Sequence, residues 1–525
     1  MSGLLRSNIT VALGTALSRV TGLLRIMVFG WVIGQTALSD TYVIANETPN
    51  IVYDLLLGGV LSATLVPLFT SFLERDDEEA TNVVITVATV LMAVLTVVAV
   101  VAAPLIFRVY TLNRDETVDA DLLQQVGTTL TRIFLIQILF YGLTGVANAY
   151  LQSRRRFFAA AWSPILANLV VIASLLTLRD RAWELGDVIT DGRLRWTLGF
   201  GATGAIALMA LVVVGAARSA GLRYRPTWNW RHPAVRKLLA LSGWTLGFVA
   251  ANQAALLVIR NLAEPGSSDA TAYFTAFTFF VLPHGLLAVS ISTTFQPEMA
   301  RSVVRKDRPG FVGQASLGVR MIALLTLPAS FGIFVLRRPI IGALLEYRNF
   351  SAEAAENTTR ALGGFALGLV GFSVYLFTLR GFYAHQDTRT PFVVNVVQNA
   401  LNIVLAIVLV GRHGVLGLGL AYAISYLISS LWVLQILSYK VPGFSPRAIG
   451  GSVWRMLLAS VLMAEAVWVV TRAVGADTGG AAFARLVVGI VTGTVVYGAV
   501  LILLRAPELD RLRRMIPLRG VPASR

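Results

Sequence analysis

Long apolar segments follow one another along almost the whole chain and dictate the solvent in which it folds. A transmembrane helix needs about 20 mostly apolar residues, and about fourteen such segments lie between residues 11 and 504. Hydrophobic residues make up 56% of the 525 residues and charged residues 14%, whereas soluble domains carry about 25% charged residues. The sequence therefore predicts an all-α polytopic membrane protein with about 14 transmembrane helices.

The predicted spans are numbered in chain order. They centre on residues 11–33, 40–71, 82–108, 127–151, 158–178, 196–216, 237–262, 271–299, 315–336, 357–383, 391–410, 414–438, 451–473 and 481–504.

Lysine and arginine in the loops predict the orientation. Cytoplasmic loops of membrane proteins are enriched in these residues, and with the N-terminus inside, the basic loops fall at 154–156, 218–237, 301–308, 380–389 and 440–447. We therefore expect both termini in the cytoplasm. The net charge of +16 is explained by this rule, or by a cavity that attracts an anion.

Two motifs recur along the chain. A Ser-Asp pair opens the second and the eighth span, at 39–40 and 268–269, and a proline follows near each end, at 67 and 297. A Tyr, Arg and Asn set surrounds a loop in each half: Tyr150, Arg156 and Asn168, then Tyr383, Arg389 and Asn402. Both motifs repeat at an offset of about 230 residues, which is typical of transporters built from repeated halves.

The repeat predicts a division into lobes. Spans 1–6 form an N-lobe over 1–218 and spans 7–12 a pseudo-symmetric C-lobe over 219–440. Two extra spans occupy 441–505, and a basic cytoplasmic tail follows at 506–525.

The first span contains Arg19 and Arg25 within its apolar stretch. A fixed charge in the hydrocarbon core costs several kcal/mol unless it faces water, a partner charge or a substrate. Both arginines are therefore candidate substrate-binding residues. The alternatives are an ion pair with a structural role for Arg19 and an interfacial position for Arg25, which long side chains reach by snorkelling.

The second span carries a polar stripe. Asp40, Glu47 and Asp54 lie seven residues apart, Asn50 lies four before Asp54, and Pro49 interrupts the helix. A polar, kinked segment at membrane depth is tolerated where it faces protein or a cavity. We predict that these four polar residues line or gate a cavity, and that Asp40 or Asp54 pairs with an arginine of the first span.

Two later spans add candidates. Arg260 near the end of the seventh span is a third predicted substrate-binding residue, with snorkelling as the alternative. Pro283-His284-Gly285 predicts a break in the eighth span, and the histidine is interpreted as a packed polar residue.

The sequence carries no signature of an enzyme. There is no cysteine, the four histidines are scattered, and no phosphate-binding glycine loop is present. We expect no cofactor, no metal site and no nucleic-acid partner. Energy for transport would come from a gradient, the membrane potential or the substrate.

Three segments resemble one family. SRVTGLLR at 18–25, SDTYVIANETPN at 39–50 and GGVLSATLVPLF at 58–69 are similar to the MurJ/MviN lipid II flippases of the multidrug/oligosaccharidyl-lipid/polysaccharide exporter superfamily. The resemblance implies a flippase that moves the undecaprenyl-pyrophosphate-linked peptidoglycan precursor to the outer leaflet. It also implies a V-shaped cationic cavity between two lobes, and a groove for the lipid tail formed by the two extra spans.

The resemblance also assigns roles to residues and partners. Arg19, Arg25 and Asp40 fall on positions that matter for function in the family. Guanidinium groups suit a pyrophosphate because their planar forks match phosphate oxygens. The implied partners are lipid II or a related lipid, membrane lipids and cell-wall synthesis proteins.

The chain departs from the family pattern in its charges. Glu47, Tyr53 and Asp54 stand where other members often have basic residues, and Thr278 stands where they often have an arginine. Arg260 is a candidate to compensate. Because spans 7, 11 and 12 contain no acid within the membrane, we expect the membrane potential rather than a sodium site to drive transport.

Other functions stay open at this point. These are a flippase for another polyprenyl-linked glycan, a drug exporter and a non-transporting scaffold for cell-wall synthesis. A membrane enzyme that acts on lipid pyrophosphates would need a cluster of acids or histidines near the membrane surface, and the sequence has none.

Overall fold

The computed structural model describes residues 2–53, 59–240, 243–506 and 508. Helices dominate these residues, and the described ranges contain no strand. The chain divides into two compact units, residues 1–272 with 347–354, and residues 273–346 with 355–525.

The first unit contains the helices α1 to α12. Their bounds are α1 Ser2–Ile33, α2 Ala37–Tyr53, α3 Gly59–Glu74, α4 Glu78–Val101, α5 Ala103–Tyr110, α6 Ala120–Leu135, α7 Gln137–Ser153, α8 Phe158–Leu176, α9 Asp187–Thr190, α10 Gly192–Ser219, α11 Pro233–Ala240 and α12 Gly243–Leu262. An apolar core of this unit lies among α3, α4, α6, α7 and α10, around Phe69, Leu135 and Val213.

The second unit contains α13 to α21, except that residues 269–272 and 352–354 belong to the first unit. The bounds are α13 Asp269–Pro283, α14 Val289–Val304, α15 Arg308–Leu344, α16 Ala352–Ala366, α17 Leu369–Ala384, α18 Arg389–His413, α19 Val415–Lys440, α20 Pro446–Arg472 and α21 Gly479–Leu503. A π-helical turn, His284–Ala288, separates α13 from α14, which confirms the predicted break.

Most of the predicted spans correspond to long apolar helices. Eleven described helices or continuous helix pairs are long and apolar enough to cross a membrane, and the pair α16 and α17, bent by 48°, forms a twelfth. The two remaining predicted spans, 40–71 and 237–262, include residues outside the described ranges. The total of fourteen therefore stays a prediction.

The first unit extends beyond residue 218, where the predicted N-lobe ends, and includes α11 and α12. In the first unit α12 packs against α3 and α5. Asn261 at its end fastens it: the side-chain oxygen accepts hydrogen bonds from the backbone N–H groups of Leu112 (2.7 Å) and Asn113 (3.2 Å), and its amide donates to the carbonyl of Val109 (3.0 Å). The predicted boundaries 1–218, 219–440, 441–505 and 506–525 stay predictions.

Two pairs of turns repeat the same backbone conformation. Asp76 and Lys306 both adopt positive φ, 52° and 57°, and the aspartate that follows each of them caps the next helix through a backbone N–H at 2.8 and 2.9 Å. Arg155 and Gln386 likewise have φ of 57° and 58°. The members of each pair lie about 230 residues apart, the period that the sequence motifs predict. Each unit thus contains one copy of each turn.

Candidate functional site

Two helices of the first unit bring opposite charges together. Glu47 of α2 lies with its Oε2 atom 3.8 Å from the Nη2 atom of Arg260 on α12. Glu47 and Arg25 of α1 both act electrostatically on the hydroxyl of Tyr141 in α7. We call Arg25, Glu47, Tyr110, Tyr141 and Arg260 the charged cluster. Of the three predicted substrate-binding arginines, it contains Arg25 and Arg260.

Arg260 lies inside the protein rather than at an interface. Its side chain is fully buried, and its guanidinium carbon lies 5.2 Å from the ring centroid of Tyr110. The Glu47 side chain is 44% exposed. A buried guanidinium is costly unless an opposite charge lies beside it, so Glu47 stabilises Arg260, and Glu47 is the member of the pair that reaches open space.

Asn50 lies one helical turn after Glu47 and joins the same region. Its side chain hydrogen-bonds to the hydroxyl of Tyr141. The predicted polar stripe of α2 therefore faces α7 through Asn50 and α12 through Glu47. Asp54, the fourth predicted member of the stripe, lies outside the described residues.

Arg19 lies apart from these contacts. Its side chain is exposed on α1, beside the point where the Asn168 amide of α8 donates to the carbonyl of Ser18 (3.3 Å) and the hydroxyl of Thr21 (3.1 Å). Within the described ranges, no carboxylate lies within 4 Å of the guanidinium of Arg19 or Arg25. The described residues therefore contain no ion pair between Asp40 and either arginine, and the alternative pairing with Asp54 lies outside the described residues and stays a prediction.

Asp40 caps a helix instead. Its side chain is fully buried, and its two oxygens accept hydrogen bonds from the backbone N–H groups of Gly266 (3.0 Å), Ser268 (2.9 Å) and Thr271 (2.8 Å). The Thr271 hydroxyl donates a fourth, at 2.6 Å. The start of α13 supplies these donors together with the positive end of its dipole, so a carboxylate is satisfied there without an arginine.

More hydrogen bonds join the same two segments. The Gln35 amide donates to the carbonyl of Ser268 (2.8 Å), and the Ser268 hydroxyl donates to the carbonyl of Gln35 (3.1 Å). The Thr271 and Ser39 hydroxyls lie 3.1 Å apart. We call Gln35, Ser39, Asp40, Gly266, Ser268 and Thr271 the Asp40 latch. The Ser39-Asp40 and Ser268-Asp269 copies of the repeated motif thus meet, although the sequence does not reveal that they do.

An apolar groove lies within the second unit, among α15, α20, α21 and the π-helical turn. Its volume is about 870 Å³, and its walls include Leu286, Leu336, Val467 and Ile490. The hydroxyl of Tyr497, which also lines the groove, donates to the carbonyl of Leu324 at 2.8 Å. A long, flexible hydrocarbon chain is the kind of ligand that such walls accommodate.

A second polar cluster in the second unit was not found from the sequence. Asn395, Gln398 and Asn399 of α18 are buried, and the Asn399 amide donates to Asn395 at 3.2 Å. The Gln398 amide donates to the Ser425 hydroxyl at 3.2 Å, and the side chain of Asn395 lies beside the hydroxyl of Tyr375. We call these five residues the amide cluster. The signal was present, because polar residues at 395, 398, 399 and 402 have helical spacing in an apolar segment.

The predicted interpretation of His284 as a packed polar residue agrees with its contacts. Its Nδ1 atom lies 2.9 Å from the Ser373 hydroxyl, and its ring lies 4.7 Å from the ring of Phe372.

Known proteins with related sequences share one description. A family model described as lipid II flippase MurJ matches residues 30–507. A protein of Haemophilus influenzae named probable lipid II flippase MurJ is 28% identical over 93% of this chain and 98% of its own length. A lipid II flippase MurJ of Burkholderia cenocepacia is 28% identical over 74% of this chain and 75% of its own length.

Solved structures show the same fold. A lipid II flippase MurJ in an inward closed conformation superposes with a TM-score of 0.78 at 21% identity, over 95% of this chain and 99% of that chain. An inward-facing MATE family multidrug transporter of the MOP superfamily gives 0.66 at 13% identity, over 81% and 95%. The chain therefore has the fold of this transporter superfamily and belongs to the lipid II flippase MurJ family.

Proposed function

We propose that the chain is a flippase that translocates lipid II, the undecaprenyl-pyrophosphate-linked peptidoglycan precursor, from the inner to the outer leaflet. The observation that carries the proposal is the family match over residues 30–507. The chain resides in the bacterial inner membrane with both termini in the cytoplasm, as its basic loops predict. It works without a cofactor and catalyses no covalent step.

The two ends of this substrate need different surroundings, and the described residues offer both. A polyprenyl chain is purely apolar and suits the groove of about 870 Å³ in the second unit. A pyrophosphate needs guanidinium groups at membrane depth, and Arg25 supplies one next to the polar stripe of α2. Arg19, exposed on the same helix, supplies another.

Arg260 serves the substrate in a different way from Arg19 and Arg25. It is fully buried behind Glu47, so the substrate reaches it only after Glu47 moves aside. We propose that the pair opens during transport and that the pyrophosphate takes the place of the Glu47 carboxylate. The membrane potential acts on these buried charges and drives the cycle.

Alternating access needs contacts that form in one state and break in the other. The Asp40 latch offers a compact set of hydrogen bonds of this kind, since one carboxylate holds four of them. We propose that the latch closes one side of the cavity and releases it when the substrate leaves. Proteins of cell-wall synthesis that use lipid II are the expected partners in the membrane.

The test is exposure of lipid II on the outer leaflet of cells whose own flippase is depleted. The wild-type chain restores exposure, whereas Arg19→Ala and Arg25→Ala lower it at least tenfold at equal membrane abundance, because a charge-assisted hydrogen bond contributes about 1.5–3 kcal/mol. Arg218→Ala is the matched control, since Arg218 is exposed at the end of α10. A folded wild-type chain that restores nothing would overturn the proposal.

The groove allows a second arm of the same experiment. Gly332 of α15 lines the groove, and a Cβ atom built there meets nothing within 4 Å, so the side chain of Gly332→Leu starts in open space and occupies part of the groove. Gly313 of the same helix also has open space around a Cβ atom but lies outside the groove walls. We expect Gly332→Leu to reduce lipid II exposure and Gly313→Leu to leave it unchanged.

The fold likeness to MATE transporters and the half-exposed Glu47 favour a drug exporter as the second candidate. The same cells distinguish the two functions. An exporter raises resistance to cationic drugs without restoring lipid II exposure, and the groove substitution leaves its activity intact.

A further inference from the structure

A cleft of about 700 Å³ opens beside α5 and the loop that leads into α6, in the first unit. Its walls combine exposed leucines, Leu105 and Leu112, with the guanidinium groups of Arg108 and Arg114 and the amide side chain of Gln124. The charged cluster, the Asp40 latch and the apolar groove use none of these residues. The cleft therefore needs an explanation of its own.

A lipid-facing stripe leads to the cleft. Val94, Val98 and Val101 of α4 and Leu105 of α5 are each more than half exposed, and their spacing of three and four residues places them on one helical face. Arg108 is the next residue of that pattern. The stripe thus changes from hydrocarbon-facing side chains to a guanidinium at one end, as the depth profile of a bilayer leaflet requires.

The cleft has a rigid wall. Phe107 of α5 is fully buried and packs so closely on Gly127 of α6 that a Cβ atom there would overlap its ring. The Gln124 amide donates to the carbonyl of Pro104 at 2.8 Å and to the hydroxyl of Thr128 at 3.2 Å. The packing of Phe107 on Gly127 and the hydrogen bond from Gln124 to Pro104 join α5 to α6. The helix that carries Arg108 is therefore held in place.

The guanidinium groups of Arg108 and Arg114 form no salt bridge among the described residues. In the part of the chain that the structure describes, no carboxylate lies within 4 Å of Arg108 or Arg114. Two nearby acids are engaged elsewhere: Asp115 accepts from the backbone and hydroxyl of Thr117, and Asp119 caps α6. Asp121 also lines the cleft and opposes an anion there.

We infer that this cleft binds the phosphate of an anionic membrane lipid, held by Arg108 and Arg114, with an acyl chain along the Val94–Leu105 stripe. Planar guanidinium groups bind phosphate oxygens in pairs, and the open apolar stripe suits a chain that stays in the bilayer. A phospholipid such as phosphatidylglycerol meets both requirements. The site is separate from transport and does not depend on the proposed function.

The test exploits the absence of cysteine from the chain. A single cysteine at Leu112 carries a fluorescent label, and the full chain is placed in nanodiscs of phosphatidylcholine that contain brominated phosphatidylglycerol or brominated phosphatidylcholine as quencher. Leu211→Cys on α10, exposed to a similar degree, is the control reporter. Each arginine near a lipid phosphate contributes about 1 kcal/mol, so the two together predict that phosphatidylglycerol quenches Leu112→Cys at a mole fraction about 30-fold lower than phosphatidylcholine does.

The variants sharpen the result. Replacing both Arg108 and Arg114 by glutamine removes the preference for phosphatidylglycerol. The single variants Arg108→Lys and Arg114→Lys retain part of this preference. Asp121→Asn strengthens it. Equal quenching by the two lipids at Leu112, or a preference that survives the glutamine double variant, overturns the inference.

Competition identifies the source of the phosphate. Millimolar inorganic phosphate that abolishes the preference points to a soluble anion and overturns the lipid assignment. Undecaprenyl phosphate that displaces phosphatidylglycerol at equal mole fraction supports the lipid-phosphate site, with the carrier lipid as the occupant. Displacement by neither supports the phospholipid.

Discussion

The charged cluster of the first unit and the amide cluster of the second unit solve the same problem with different chemistry. Both place polar groups within segments that the sequence predicts to span the membrane. Glu47 and Arg260 are formal charges 3.8 Å apart, whereas Asn395, Gln398 and Asn399 are neutral amides, of which Asn399 donates to Asn395 and Gln398 donates to a serine. A buried charge that loses its partner costs several kcal/mol, whereas an amide that loses its partner costs only the free energy of one hydrogen bond.

This difference separates a movable site from a fixed one. Charges respond to an anionic substrate and to the membrane potential, because each elementary charge moved across the membrane gains about 2.3 kcal/mol per 100 mV. Neutral amides respond to neither. We therefore expect the first unit to change its polar contacts during transport and the amide cluster to hold its helices together throughout.

The largest effect is expected from breaking the charged cluster. Glu47→Ala removes the carboxylate that lies 3.8 Å from the buried Arg260 guanidinium and lowers the free energy of unfolding by about 3 kcal/mol, the lower end of the range for buried pairs because Glu47 is half exposed. Unfolding of the purified chain in detergent measures it.

The double variant Glu47→Ala/Arg260→Met is the control for the charge. It removes the buried guanidinium of Arg260 as well as the carboxylate, so it should recover most of the free energy of unfolding that Glu47→Ala loses. A double variant as unstable as Glu47→Ala would contradict the comparison. Full lipid II exposure with Arg260→Met would show that the substrate does not need Arg260.

The Asp40 latch ranks second. Asp40→Asn keeps the shape but replaces one acceptor oxygen by an amide that faces backbone N–H donors, so it lowers the free energy of unfolding by about 2 kcal/mol and abolishes most transport. Thr271→Val removes only the hydroxyl that donates at 2.6 Å and should cost about 1 kcal/mol. Equal losses for the two variants would show that the carboxylate is no more important than one hydroxyl.

The amide cluster ranks third. Asn395→Leu removes the oxygen that accepts the hydrogen bond of the Asn399 amide and lowers the free energy of unfolding by about 1–2 kcal/mol. Because no charge is involved, lipid II exposure in the surviving folded protein should depend on membrane potential as it does in the wild type. A changed potential dependence would place this cluster in the moving part of the cycle.

The smallest effect concerns an ion pair outside the spans. Asp387 lies in the turn between α17 and α18, and Lys440 at the end of α19 donates to it at 2.6 Å. Burial raises the pKa of Asp387, but hydrogen bonds from Lys440 and Thr390 outweigh it and lower the pKa to about 2. The carboxylate therefore contributes stability above its unfolded value of about 3.9, and this contribution is lost as the pH falls from about 4 to 2.

Asp387→Asn tests this sign. Because Lys440 is half exposed, the variant should lose less than about 1 kcal/mol near neutral pH. The difference from the wild type should shrink when unfolding is measured at pH 3. A difference that grows on acidification would contradict the assignment.

Features set by nearby residues could be predicted from the sequence. Apolar runs predict the spans, Pro283-His284-Gly285 predicts the break that the π-helical turn provides, and the repeated motifs predict turns about 230 residues apart. The polar stripe on α2 follows from helical spacing alone.

Features set by distant residues could not be predicted. Asp40 meets donors at 266, 268 and 271, and Glu47 meets Arg260. The residues around an aspartate do not reveal whether its partner is the start of another helix or the side chain of an arginine. Asp40 binds backbone N–H groups rather than an arginine, and because every residue except proline has such a group, this choice of partner leaves no mark in the sequence.

The paired turns also have a practical consequence. Asp76, Arg155, Lys306 and Gln386 hold a left-handed backbone that costs a side-chain-bearing residue about 1 kcal/mol relative to glycine. Glycine at these four positions removes that strain, although part of the gain is lost to the greater freedom of glycine in the unfolded chain. The repeated turns thus supply matched sites for engineering a more heat-resistant protein.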